Sequence, residues 1–366
     1  MNAEWERRRI AEPDQTMNQQ SQPDVEVEGR RASTPWVSLG ALACFCLWAF
    51  TATAAAAEKK AKAKPKPKPK PWPEAVQDIR YPSAADNTDQ PALYYDSGSK
   101  KKRPLLVALH SWSGNYKQTA GSAYGRWCIE HDWVMIHPNF RGPNWTPQAM
   151  GSELVVQDII SAVDYAKANA AVDEKRIYLV GVSGGGYGSL LMAGRAPEIW
   201  AAVSSWVPIS DLKAWHQECR KAKRKYADNI VKAAGGTPED GSAAEEECRR
   251  RSASTYLPRA KRVTLDINAG IHDGHTGSVP VSHTLNAFNL VAAEKDRLTT
   301  EQIDFFTTKR KVHGALAGEK EMDWTYGSRP VLFRRKSGAA RVTIFEGGHE
   351  IVHEAALKWL AKQRKK

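Results

Sequence analysis

The sequence predicts an α/β fold, a doubly wound and mostly parallel sheet with a helical lid insertion. Three observations predict it. From about residue 73, β-like and helical segments alternate, the pattern of βαβ units. The runs at 104–110 and 133–138 are apolar almost throughout, as in strands covered on both faces. At 176–193, a β-like run passes through Gly181-Val182-Ser183-Gly184-Gly185-Gly186 into a helical segment, which is a strand–turn–helix junction.

The elements follow in order. Strand 104–110 leads to a helix at 120–131 and a second strand at 133–138. Residues 152–170 place Val155, Ile159, Val163 and Ala166 on one face of a helix. The glycine-flanked strand comes next, then strands at 201–206 and 263–267. Between those two, residues 211–258 are too long and too polar for a simple connection and read as a lid. A hairpin pairs 331–333 with 342–345 through Lys336-Ser337-Gly338, and a helix at 351–362 closes the chain. No internal repeat is present.

The 366 residues are 42% hydrophobic, enough for an ordinary core, which excludes a disordered chain. The net charge of +12 is concentrated: residues 59–70 carry seven lysines, partly alternating with proline. Such a run forms an extended, solvated spacer. Its one expected partner is an anionic envelope polymer or lipid surface touched through residues 59–70; no nucleic-acid partner is expected. Ahead of it, residues 36–57 are uncharged, follow Arg30-Arg31, and hold an apolar core ending in small residues. That is the order of a cleaved secretory signal, though uncut it is long enough to anchor in a membrane. The expected organisation is leader 1–57, linker 58–72 and catalytic domain 73–366, with a secreted, periplasmic or envelope location. Cys219 and Cys248 share the lid and are candidates for a disulfide in an oxidising compartment. Cys128 reads as a buried helix residue.

Ser183 is the candidate nucleophile. The flanking glycines let strand and helix pass closely, and the turn holds the hydroxyl out on a strained backbone. A serine needs a base, and the base an orienting acid. In the chain order serine, acid, histidine, the histidine lies past the last strand, where Gly347-Gly348-His349 stands. The acid lies past the penultimate parallel strand, which selects Asp273; Asp211 is the rival, with helix N-capping as its ordinary role. Developing negative charge on oxygen calls for amide donors. Those expected are the amides of Gly184 and of Trp112 in His110-Ser111-Trp112, with Ser111 second. The segment His349-Glu350-Ile351-Val352-His353 matches a zinc-protease signature. The glycines before His349 place it at or before the helix start, and Glu354 is the sole carboxylate among the thirteen residues after His353, so neither a metal nor another cofactor is expected. Substrate contacts are expected from Ser111, Trp145, Tyr187, Trp206, Asp211 and Trp215, and an acidic group at Arg141.

Together, the elbow, the His110-Ser111-Trp112 loop, Gly270-Ile271-His272-Asp273 with Val279-Pro280, and Gly347-Gly348-His349 resemble the prolyl oligopeptidase group of α/β hydrolases and its secreted polysaccharide-esterase relatives, over residues 90–364. The resemblance implies an α/β-hydrolase fold and the triad Ser183, Asp273, His349. There are departures. Family peptidases carry a β-propeller ahead of this domain, and little chain separates the spacer from the first strands here. Ser111 replaces the usual glycine, and Gly274 to Ser278 separate the acid from valine-proline. The resulting expectation is an exported serine hydrolase of carboxylic esters, such as acetyl or feruloyl esters on polysaccharide. The alternatives are a prolyl oligopeptidase-type peptidase and a non-catalytic envelope binding protein.

Overall fold

The computed structural model describes residues 70–365. The leader, and the linker up to residue 69, lie outside the described residues. Among those described, no helix is long and apolar enough to cross a membrane.

The chain begins with two strands, β1 (Gln77–Pro82) and β2 (Asp89–Tyr95), which pair antiparallel. Then come β3 (Arg103–Leu109), helix α1 (Ser122–Glu130), β4 (Val134–Pro138), α2 (Glu153–Asn169), β5 (Val172–Val182), α3 (Gly184–Arg195) and β6 (Ala202–Trp206). The insertion supplies α4 (Leu212–Lys221), α5 (Tyr226–Ala234), α6 (Ala243–Arg251) and α7 (Ala253–Tyr256). The chain returns through β7 (Thr264–Gly270), α8 (Ser282–Val291), α9 (Thr300–Lys309), the hairpin β8 (Val331–Ser337) and β9 (Ala340–Phe345), and α10 (His353–Leu360).

Among the described residues the sheet has nine strands in the order β1-β2-β4-β3-β5-β6-β7-β9-β8. Pairs from β4 to β9 are parallel, and the outer strands β1, β2 and β8 join antiparallel. Both faces are covered, which explains the unbroken apolar runs. On β3, Leu105, Val107 and Leu109 enter one core with α2, α3, α8 and α9, while Leu106 and Ala108 enter the other with α1 and α10. Helix α3 is buried from Gly184 to Gly194, so its small residues and leucines suit a helix surrounded by protein.

The structure adds what the patterns did not mark: β1, β2, α8 and α9. The hairpin turns at Gly338-Ala339, because β8 extends to Ser337. Cys219 and Cys248 are buried free thiols, and burial pushes both up to about 12.

Candidate active site

The strand order reverses direction between β3 and β5, and such a switch point is where open α/β sheets hold their sites. Both strands end there in a loop that carries candidate site residues. Ser183 closes β5 with φ 60° and ψ −119°, left-handed values that cost a non-glycine residue about 1–3 kcal/mol. Its surroundings hold it in place. The Ser183 amide donates to the Trp206 carbonyl (2.9 Å), and its carbonyl accepts from Tyr187 (2.8 Å) in the first turn of α3. Gly184 is required by close approach: a Cβ there would stand 2.3 Å from the Trp112 amide nitrogen. The Gly184 and Trp112 backbones are therefore neighbours beside Ser183, as two donors to one oxygen must be. The helix N-terminus behind them favours negative charge.

The loop carrying Trp112 is rigidly built. His110 is buried, stacks on Phe140 (3.9 Å), and sets its ring nitrogens against the carbonyls of Ser111 (2.9 Å) and Asn139 (2.8 Å). Burial lowers its pKa, and a neutral ring donates to one of the two carbonyls. The Ser111 amide and hydroxyl both donate to Gln118 Oε1, at 3.2 and 2.8 Å. That amide is thus engaged.

His349 stands in the bend after β9, and its Nδ1 donates to Asp273 Oδ2 (2.8 Å). The other carboxylate oxygen accepts from the amides of Gly274 (2.8 Å) and Val279 (3.3 Å). Asp273 is 2% exposed, so its charge is satisfied inside the protein by these donors. With Nδ1 donating, Nε2 carries the lone pair of the neutral ring. A hydrogen bond between His272 and Glu346 and an ion pair between Arg329 and Glu350 (both 2.7 Å) strap the bend. His353 is elsewhere: it begins α10, meets the Tyr124 ring edge-on (5.1 Å), and burial lowers its pKa to about 4. The two histidines of the zinc-type signature do not share a helix face.

Several residues expected at the substrate are engaged within the fold. Arg141 is locked between Asp158 (2.7 Å) and Asp86 (2.8 Å) and is a structural ion pair. Asp211 caps α4, accepting from the Ala214 amide (2.9 Å). Trp206 is wholly buried and donates to Ser204 Oγ. Tyr187 and Trp215 are buried ties to the lid region: Tyr187 donates to the Arg251 carbonyl (2.7 Å), and Trp215 to the Ser278 carbonyl (2.9 Å). Trp112 closes the same assembly, meeting Trp215 edge-on (4.7 Å) and donating from Nε1 to Asn229 Oδ1. Trp145, 38% exposed, still presents its ring to solvent. Gln118, Asn229 and the Ser278 carbonyl hold the site in place, and no sequence pattern marked them.

A strained serine at the switch point of this sheet, with a histidine–aspartate pair past the last parallel strands, is the arrangement of the α/β-hydrolase fold. Residues 128–326 match the prolyl oligopeptidase family, to which the chain belongs. That match takes in Ser183 and Asp273 and ends before His349. The chain is 27% identical over 123 residues to poly(3-hydroxyalkanoate) depolymerase C of Paucimonas lemoignei, covering 30% of this chain and 28% of that protein. It is 22% identical over 157 residues to feruloyl esterase B of Thermothelomyces thermophilus, covering 36% and 53%. Among solved structures it is similar to a puromycin-hydrolyzing peptidase of Mycobacterium tuberculosis, at 14% identity and TM-score 0.49, covering 78% of this chain and 38% of that one. The curated relatives are matched over only 17% to 53% of their own lengths.

Proposed function

We propose that the protein hydrolyses carboxylic esters through an acyl-enzyme, with Ser183, His349 and Asp273 as the catalytic triad. The observation that carries this reading is the 2.8 Å bond from His349 to Asp273. It fixes the imidazole with Nε2 available as base. Ser183 Oγ attacks the ester carbonyl carbon and passes its proton to Nε2. The amides of Gly184 and Trp112 receive the charge on the carbonyl oxygen. The C–O bond to the alcohol then breaks, and the alcohol leaves with the proton from His349. Water, deprotonated by the same nitrogen, releases the acid and restores Ser183.

Similarity to a feruloyl esterase favours an ester, and an acetyl or feruloyl group on polysaccharide is the proposed substrate, with Trp145 as a ring for it. Similarity to acylamino-acid-releasing enzyme 2 of Oryza sativa favours the second reading, a peptidase. Export through the 36–57 leader, and a surface contact through residues 59–70, belong to the same proposal. A fluorophosphonate probe should label the protein and not Ser183→Ala; an unlabelled native protein overturns both enzymatic readings. Release of acetate or ferulate from substituted xylan, set against cleavage of a proline-linked chromogenic peptide, decides between them.

A further inference from the structure

The end of α4 and the turn that joins it to α5 carry Arg220, Lys221, Lys223, Arg224 and Lys225 within six residues. A run of this kind is ordinarily a solvated face. Three observations set this one apart. Its position is tied to the candidate catalytic loops on two sides. Arg224 Nη2 donates to the carbonyl of Gly274 (3.3 Å), the residue after Asp273, and Asn229 on α5 holds the Trp112 indole. The 274–278 loop in turn lies on His349: a Cβ at Gly277 would stand 2.4 Å from the His349 Cβ.

The charges are also unanswered. Most of the other lid cations have partners: Lys213 pairs with Asp240 and Glu245, Arg249 with Glu246, and Arg250 and Arg251 with Glu247, while Lys232 pairs with none among the described residues. Among the described residues none of the five turn cations forms an ion pair; Glu218 goes to His283, and Asp228 pairs with none of them. Finally, helix stability explains only part of the run. Arg220 and Lys221 suit the C-terminus of α4, whereas Lys225 is at the N-cap of α5, where positive charge is unfavourable.

We infer that this turn binds a carboxylate carried by the substrate, so that the enzyme prefers esters with an anionic acyl or alcohol part. The inference rests on the ester-hydrolase reading of the Ser183 centre and adds the charge of what reaches it. Such a cluster raises the local concentration of anionic substrate and is weakened by salt.

The test compares mono-para-nitrophenyl glutarate with the neutral para-nitrophenyl pentanoate. The ratio of their kcat/KM values should fall about tenfold in Lys223→Gln/Lys225→Gln, whose exposed side chains form no hydrogen bond or ion pair among the described residues, and further when Arg224→Gln is added. Raising salt to about 0.5 M should lower the ratio in the native protein and much less in the variants. An unchanged ratio overturns the inference. If neither ester turns over, the ester-hydrolase reading fails separately. Glutarate binding to Ser183→Ala by calorimetry then decides: binding lost with the lysines supports the carboxylate site, and no binding in either form refutes it.

Discussion

Asp273 and His349 lie 76 positions apart, leave the sheet from different strands, and meet in a 2.8 Å hydrogen bond. β7 and β9 are parallel neighbours, so their C-terminal loops emerge at the same edge. Asp273→Asn keeps the shape and one carbonyl oxygen, but its amide group cannot hold the imidazole in the required tautomer. Ester turnover should fall by a factor on the order of 10⁴, with little change in Tm. Steady-state kinetics with a chromogenic ester, beside a melting curve, check it. Near-native turnover would remove Asp273 from the triad.

Asp211, the rival acid, predicts the opposite division of effects. Its carboxylate caps α4 and also accepts from Ser254 (3.4 Å). Asp211→Ala should cost about 1 kcal/mol of stability and leave kcat largely intact. Asp211→Asn, with an equally good capping residue, should recover most of that loss. Urea titrations of the two variants read the difference. A collapse of kcat in Asp211→Asn with the fold intact would restore Asp211 as the catalytic acid.

Which parts of the site were legible follows from how local their causes are. Ser183 was marked by glycines that a strand–helix crossing demands, and His349 and Asp273 by their order along a wound sheet. The aromatic residues were different. A tryptophan near a strand end has an apolar body and one donor wherever it points. Only the fold shows that the Trp206 donor is taken by Ser204 and that of Trp215 by the Ser278 carbonyl. Arg141 finds its partners 55 and 17 positions away, where no periodicity joins them. Strand β1 exposes most of its residues at the sheet edge, so it carried no clear apolar alternation to read.

Arg141 yields a stability prediction in place of a binding one. Its side chain is 11% exposed and that of Asp158 is fully buried, so removing the guanidinium strands a carboxylate inside the protein. Arg141→Gln should destabilise the fold by about 3–5 kcal/mol. KM for esters should stay within about twofold in protein that remains folded. Denaturant unfolding and KM at low temperature separate the two effects. A raised KM without a stability loss would return Arg141 to the substrate.

His137 predicts how the fold responds to acid. It is fully buried at the end of β4 beside Trp72 (5.2 Å), and among the described residues neither ring nitrogen has a partner at hydrogen-bond geometry. Burial, with a smaller contribution from His110, lowers its pKa from 6.5 to about 3. Between those values the unfolded chain holds a proton that the folded protein refuses. The histidine therefore costs nothing above about pH 6.5 and destabilises progressively as pH falls toward 3. Between pH 6.5 and about pH 5 the loss should reach roughly 2 kcal/mol, at about 1.4 kcal/mol per unit. His137→Phe keeps a ring against Trp72 and has no proton to bind, so its stability should decline less over that interval. Urea midpoints of both proteins at the two pH values measure this, and equal slopes would show that His137 does not set the acid limit.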